Sequence, residues 1–398
     1  MISVEEALQQ ILSVCPREVR TEIVPVQEAL NRSLGEDIFS DRDYPPFFRS
    51  AMDGYALPSE SYQKNKIYTI AGTLYAGDSW EKGLISSDSC IKIMTGAPVP
   101  EFLDLLIRVE DSLQEGENKV SFQLEGISEY MNIAKKGEDI KSGELILKKG
   151  DFLGIEALSV LATLGKTDVA VFQRPSVQVY STGNEVIPIT ATPGASQIRD
   201  TNSFFIRQIL NKYNIEVSKY SILPDNPKIL RETLEAELDK DILIFSGGVS
   251  AGDLDLLPGI LKEMGIDILF HKIKIKPGKP ILVAKAKNSC TIFALPGNPY
   301  SVQVCTKIFV EPYIRKFMRL PEKKPLFLPL AETKRKRHGF RDYFPVRMQN
   351  LENKTYLETV SFNGSGDIRA SLFSQGLAFL DEKVNEAQKG ESLPFYFW

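Results

Sequence analysis

The chain has 398 residues, 43% hydrophobic and 25% charged, and its 48 Lys and Arg against 52 Asp and Glu give a net charge of −4. These are ordinary globular proportions for roughly two to three domains; they exclude wholesale disorder and collagen-like repetition and give no global pull toward nucleic acid or an anionic membrane. Four scattered cysteines without a C-x-x-C pair, and only two histidines, leave almost nothing for a tetrahedral zinc site and read as a reducing, cytoplasmic protein.

The first segment, Met1-Ile2-Ser3-Val4-Glu5-Glu6, has neither the basic nor the apolar region of a signal peptide. Ser3 stands three residues before Glu6, a capping box, and Ala7, Leu8, Ile11 and Leu12 supply an apolar stripe until Pro16 stops the helix. From about residue 41 to 149 the texture changes to short apolar runs at 67–71, 91–94, 106–109 and 120–124, separated by turn residues, which predicts a small, mostly β domain. Residues 151–164 predict a helix capped by Asp151, with Gly165 just past its end. Between about 173 and 319 strand and helix alternate. Strands are expected at 176–180, 215–223, 242–245, 268–275, 281–285 and 291–295, and helices at 201–213, 228–238, 256–264 and 300–317. That rhythm predicts a doubly wound, mainly parallel α/β sheet. After a Lys/Pro-rich connector, short runs at 326–330, 343–348, 356–360 and 377–380 suggest a small β-barrel or sandwich. No apolar run is long enough to span a membrane.

In such sheets ligands gather where strand ends pass into loops and helix N-termini. Three crossings carry glycine and hydroxyl groups: Ser181-Thr182-Gly183-Asn184-Glu185, Ser246-Gly247-Gly248-Val249-Ser250-Ala251-Gly252-Asp253-Leu254-Asp255, and Pro296-Gly297-Asn298-Pro299-Tyr300-Ser301. Singly, each is equally well a tight turn; three at one predicted edge point to an anion held by backbone amides. None is a Walker A loop or a G-x-G-x-x-G fingerprint, so nucleoside triphosphate and dinucleotide lose their best support. Strand alternation puts Lys272, Lys274 and Lys276 on one face opposite Ile273 and Ile275. A solvated edge strand would look the same, but Pro277-Gly278-Lys279-Pro280 is a stiff loop that holds Lys279 in place.

Glu185, Asp225, Asp253 and Asp255 lie in or beside these crossings. Acids beside an anion pocket repel the ligand unless a cation lies between, a role that suits Mg²⁺; each alone reads equally as a turn or N-cap residue. Elsewhere, Asp53-Gly54 alone predicts a hairpin turn. Thr95-Gly96 is a second candidate anion nest, and residues 135–139 an exposed charged turn. Residues 334–337 form a basic arm or solvated loop, and 364–367 a flexible turn.

Taken in order, Pro45-Pro46-Phe47, Ser50-Ala51-Met52-Asp53-Gly54-Tyr55-Ala56, Ile93-Met94-Thr95-Gly96-Ala97, Gly137-Glu138-Asp139, Ser181-Thr182-Gly183 and the blocks at 246–252, 276–280 and 295–301 closely resemble the MoeA family of molybdopterin molybdenumtransferases, which includes the C-terminal domain of gephyrin. The likeness covers essentially the whole chain. It implies an α/β multidomain fold with a discontinuous N-terminal dimerisation domain (1–45 and 140–172), an inserted β-rich domain (46–139), a doubly wound molybdopterin-binding domain (173–320) and a C-terminal β-barrel (321–398). It further implies a homodimer, with the active site between the pterin-binding domain of one subunit and the β-rich domain of its partner. The implied substrates are adenylylated molybdopterin and molybdate, with the upstream adenylyltransferase as a candidate partner. The adenylate is hydrolysed with Mg²⁺, AMP leaves, and molybdenum enters the dithiolene.

Carried over by motif, the resemblance assigns catalytic roles to Asp53, Thr95 and Asp139, facing Glu185, Asp225, Asp255, Lys272, Lys276 and Lys279. Glu185, Asp225 and Asp255 would hold the metal. Thr182, Gly183, Ser246, Gly247, Gly248, Ser250, Gly252, Pro296, Gly297, Asn298, Pro299 and Ser301, with Arg347 and Ser365 from the barrel, would bind the pterin cofactor. Family members usually carry Asp-Asn where this chain has Phe48 and Arg49, Asp is common where Asn184 stands, and Val where Ala251 stands. Two further classes stay open. One is the related molybdopterin adenylyltransferase, normally a single domain; the other is a non-enzymatic, gephyrin-like scaffold.

Overall fold

The computed structural model describes residues 1–217, 220–249, 256–351 and 353–398. Its contacts divide into two compact units, Met1–Gly35 with Gly150–Ser159 and Thr167–Trp398, and Glu36–Lys149 with Val160–Lys166. Among the described residues no helix is long and apolar enough to cross a membrane.

The larger unit is built on a sheet of β1 (Val177–Thr182), β2 (Tyr220–Leu223), β3 (Ile242–Ser246), β4 (Asp267–His271), β5 (Leu282–Lys285) and β6 (Thr291–Leu295), in the order β2-β1-β3-β6-β5-β4. β2, β1, β3 and β6 run parallel; β5 runs against them, and β4, antiparallel to β5, runs with them again. Alternate side chains feed two cores. Val177, Val179, Ile242, Ile244, Phe293 and Leu295 join one; Leu243, Phe245, Ile292 and Ala294 join the other. Strands buried on both faces are apolar throughout, which is why these runs are continuous in the sequence. Helices α1 (Val4–Ser13), α2 (Asn202–Asn211), α5 (Pro299–Cys305) and α6 (Glu311–Phe317) cover the first core; α3 (Pro227–Glu237) and α4 (Leu256–Glu263) cover the second. The α1 capping box forms as expected: Ser3 Oγ accepts the Glu6 amide at 3.1 Å, and the Glu6 carboxylate accepts the Ser3 amide at 2.7 Å.

Several expected elements differ: the helix expected over 151–164 runs Ile155–Thr163, so Asp151 does not cap it, and the strand expected over 215–223 is Tyr220–Leu223. The strand expected over 268–275 stops at His271, because Lys272 takes a left-handed φ of +67° and its amide bonds the Ile281 carbonyl. Alternation is broken there, so Lys272, Lys274 and Lys276 do not form one strand face; Ile275–Lys276 is a separate two-residue strand. The helix expected over 300–317 is α5 and α6 joined by a π-helical Thr306–Val310, in which the Glu311 amide bonds back five residues to Thr306. Pro312 has no amide to donate and its ring crowds the carbonyl four residues earlier, so a wider turn relieves the clash.

That segment buries an ion pair. Glu311 accepts Lys307 Nζ at 2.7 Å, Lys323 Nζ at 3.2 Å and the Tyr213 hydroxyl. Burial alone would raise its carboxyl, but the Lys307 charge and hydrogen bond and the Tyr213 hydroxyl outweigh it and hold the group at about 2.

The C-terminal region forms a second sheet, in the order Ile275–Lys276, Arg341–Leu351, Gly376–Leu380, Ser392–Phe397, Leu326–Pro329, with Lys354–Thr359 also on Arg341–Leu351. A bridge between Leu330 and Leu357 returns the last strand toward Lys354–Thr359, closing a barrel around Phe344, Val346, Ala378, Leu380 and Phe395. The stretch 334–337 is not a free arm. Lys334–Arg335 pairs with Glu386–Ala387, and buried Lys336 donates to the Phe340 and Glu382 carbonyls.

The smaller unit is a six-stranded sheet in the order Leu105–Arg108, Gly54–Leu57, Ser89–Ile93, Ile67–Leu74, Lys119–Phe122, Ser112–Gly116. Asp53-Gly54 is not a hairpin turn, because Gly54 opens an interior strand. A Cβ there would lie 2.1 Å from the Ile107 carbonyl oxygen, so glycine permits close strand pairing rather than a turn.

The Glu311 cluster sets a pH dependence. Its folded carboxyl lies below the unfolded value, so the stabilisation is complete above that unfolded value and is lost as pH falls toward about 2. Thermal melts between about pH 5 and about pH 2 should show wild type losing on the order of 3 kcal/mol more than Glu311→Gln over that range. Parallel curves for the two proteins would contradict the assignment.

Candidate active site

Parallel pairing delivers four strand ends to one edge. Thr182 is level with Leu223, Ser181 with Ser246, and Ser246 with Leu295. The loops that follow surround a cavity of about 690 Å³. Thr182, Gly183 and Glu185 line it after β1, Asp225 after β2, and Ser246, Gly247 and Gly248 after β3. Pro296, Gly297, Asn298, Pro299 and Ser301 line it after β6, and Lys276, Lys279 and Ser365 complete the wall.

Gly247 sets how closely the loops approach. Its φ is +102°, and a Cβ would lie 2.6 Å from Thr182 Oγ1 and 2.7 Å from the Thr182 carbonyl oxygen; only glycine tolerates both. The Gly247 amide is tied to the Leu295 carbonyl at 3.0 Å. Asn202, at the start of α2, crosses the gap: its Nδ2 donates to Ser246 Oγ at 2.9 Å and to the Gly297 carbonyl at 2.7 Å. Asn298 Nδ2 donates to Ser365 Oγ at 2.8 Å, and the Ser365 carbonyl accepts the Tyr300 amide, so the 364–367 turn is pinned to the ring. Buried Asp200 accepts Ser181 Oγ at 2.7 Å and the Ser203 amide at 3.1 Å, fixing β1 to the start of α2. Asp200 and Asn202 both line the cavity, and sequence reasoning missed them. The cluster Asp200-Thr201-Asn202-Ser203 carried a readable signal as a helix start.

The lysine loop is seated by Gly278, whose φ is +109° and whose Cβ would come within 2.5 Å of Cys305 Sγ. Lys279 Nζ lies 5.4 Å from the Phe340 ring centre. Two expected residues are not part of this wall. Lys272 is diverted by its left-handed backbone and does not line the cavity. Arg347 also stays outside: its Nε and Nη2 bind the cross-strand Glu358 carboxylate at 2.7 and 2.9 Å. Ser250, Gly252, Asp253 and Asp255 lie outside the described residues.

In the smaller unit, the Asp53 carboxylate accepts both the amide and the hydroxyl of Thr95 at 2.7 Å. These bonds, the amide first, hold its carboxyl below the usual range. The Thr95-Gly96 nest therefore already holds an anion, the Asp53 carboxylate. Asp139 is exposed, and its amide bonds the Tyr44 carbonyl at 3.0 Å.

Among the described residues no group of three or more His, Cys, Asp or Glu is placed to hold a metal. Glu185 and Asp225 do share the cavity. A Cβ at Gly183 would lie 2.7 Å from Glu185 Oε2, so glycine leaves room for that carboxylate. Two carboxylates completed by phosphate oxygens and water form a donor set that suits Mg²⁺. The thiols offer no competing ligand: all four cysteines are buried, and burial pushes Cys90 and Cys290 up to about 12.

Residues 2–165 match the MoeA N-terminal region (domain I and II), residues 178–316 the probable molybdopterin binding domain, and residues 328–398 the MoeA C-terminal region (domain IV). A molybdopterin molybdenumtransferase of Haemophilus influenzae is 33% identical over 398 residues, spanning 99% of this chain and 98% of that one. One from a Synechocystis strain is 31% identical over 405 residues, spanning all of both chains. The crystal structure of a molybdopterin biosynthesis moeA protein from Pyrococcus horikoshii superposes with a TM-score of 0.85 at 28% identity, covering both chains fully.

The Gly247 contact can be tested by substitution. Gly247→Ala should lower unfolding free energy by about 1–3 kcal/mol in urea, whereas Gly259→Ala, in α4 with open space around it, should be neutral or raise stability by up to about 1 kcal/mol. Equal effects at the two positions would show that the loops do not meet at Gly247.

Proposed function

This chain belongs to the MoeA family, and on that premise we propose that it is an enzyme of molybdenum cofactor biosynthesis, a molybdopterin molybdenumtransferase that inserts molybdenum from molybdate into adenylylated molybdopterin with loss of AMP. One observation carries the assignment of the site. Three glycine loops, two of them tied together through Asn202, surround a cavity with Lys276 and Lys279 on one wall and Glu185 and Asp225 also among its lining residues. Hydroxyls at Thr182, Ser246 and Ser301 and the backbone amides of Gly248 and Gly297 suit phosphate oxygens. Lys276 and Lys279 suit the dianionic molybdate, with Ser365 as a neighbouring hydroxyl. Glu185 and Asp225, joined by Asp255 of the undescribed stretch, would hold Mg²⁺, which when bound offsets the charge of the phosphates being parted. The protein's own part is to bind and orient the phosphates, keep the carboxylates apart from them, and present two ammonium groups to the oxyanion.

Asp53, Thr95 and Asp139 enter this reading through a homodimer, in which the β-rich unit of one subunit completes the cavity of the other. The rigid Asp53–Thr95 contact supports a preset role for that carboxylate. We place the enzyme in the cytoplasm, receiving its substrate from the upstream adenylyltransferase.

Lys276→Ala and Lys279→Ala should each lower kcat/KM for molybdate roughly 10- to 150-fold, from the loss of one charge-assisted bond, without altering size-exclusion elution. Glu185→Gln should raise the Mg²⁺ concentration needed for half-maximal AMP release. Wild-type rates in all three variants would remove the cavity from the chemistry. Co-expression of Asp53→Asn and Lys276→Ala chains should restore part of the activity that each lacks alone; failure to restore it would argue against a site shared between subunits.

A further inference from the structure

The C-terminal barrel contributes an acid to the cavity that none of the motifs assigned. Asp342 lies on Arg341–Leu351, level with Lys276 in the parallel pairing of the two strands. It lines the cavity wall, with its side chain 16% exposed. His338 Nε2 lies 3.5 Å from its Oδ1, and the other ring nitrogen, Nδ1, is buried without a hydrogen-bond partner. The Tyr300 hydroxyl, in the first turn of α5, is also buried without one. Facing Asp342 are His338, Lys276, Lys334 and Lys336; facing His338 are Asp342, Lys276, Lys336 and the Phe340 ring. The Asp342 charge also acts on the Tyr300 phenol.

A carboxylate in an anion pocket repels the ligand, whereas the same group protonated donates a hydrogen bond to it. Burial raises the Asp342 carboxyl and lowers the His338 imidazolium, which brings the two nearer to exchanging one proton. Lys276, level with Asp342, acts on both groups in the same direction, so its charge does not move them apart.

We propose that Asp342 and His338 form a proton-transfer pair for molybdenum insertion. This rests on the reading of the preceding subsection. Molybdate and the enedithiol give a trioxo dithiolene complex and water. Two Mo–S bonds form, one Mo–O bond breaks, and the two thiol protons end on the departing oxygen. Total charge and the oxidation state of molybdenum are unchanged, so no redox partner is needed. Asp342 and His338 carry those protons from sulfur to oxygen.

The test is single-turnover insertion into adenylylated molybdopterin, with AMP release and pterin binding followed separately, for wild type, Asp342→Asn, Asp342→Glu and His338→Gln between about pH 5.5 and about pH 9. Asp342→Asn and His338→Gln should slow insertion on the order of 10²-fold while AMP release and binding stay within about twofold. Asp342→Glu should recover part of the rate. The pair must carry a proton to act, so the wild-type rate should fall as pH rises through its upper titration; that limb should move in His338→Gln and vanish in Asp342→Asn. Insertion near the wild-type rate in both variants, or equal losses in binding and AMP release with an unmoved limb, would overturn the pair. Wild type that binds no molybdate and transfers no molybdenum would instead overturn the functional reading itself, and the pair with it.

Discussion

The contact between Gly247 and Thr182 governs the site. Two strand-end loops approach so closely that a single methyl group would collide with both a hydroxyl and a carbonyl. The parallel register of β1, β3 and β6 makes this approach unavoidable, since it ends all three strands at the same level. Everything polar in the ring then has a fixed distance to span. Asn202 spans it with two hydrogen bonds, and Gly183, Gly247, Gly248 and Gly297 line the cavity.

The sheet was legible because strands buried on both faces must be apolar without interruption, as 242–245 and 291–295 are. The glycine loops were legible because several fell at one predicted edge. Lys272 was misplaced because alternation assumes extended backbone, and its φ of +67° is a tertiary result of Ile273 and Ile275 turning into the core. Gly54 misled for a related reason: a missing side chain serves equally for a turn and for close strand contact, and only the neighbouring Ile107 carbonyl decides. The crosslinking role of Asn202 and the place of Asp342 became visible only in three dimensions, since the partners of the first lie 44 to 95 positions away and the second is level with Lys276 on a strand distant in the chain but adjacent in the sheet. The strand Ser392–Phe397 was missed because Pro394 interrupts an otherwise aromatic run.

Charge is distributed by function rather than by sign alone. Glu311 sits among two lysines and a tyrosine hydroxyl, all committed to one another, so it belongs to the architecture of the π-helical segment. The acids of the cavity are held differently. All four line the opening, but Asp200 is consumed by Ser181 and Ser203, unlike Glu185, Asp225 and Asp342. Burial depth alone would not separate these classes; what each carboxylate is bonded to does.

The two residues Ile275–Lys276 form a strand of the barrel's sheet, although they precede the barrel in the chain by some fifty positions. The barrel is thereby a splint for the lysine loop and not a detachable appendage. A chain ending near residue 320 would keep every glycine turn and its Asn202 crosslink, yet the segment carrying one cation would lose the backbone it leans on. Shortening from the C-terminus would thus blunt the grip on an oxyanion before it disturbed the scaffold that shapes the opening.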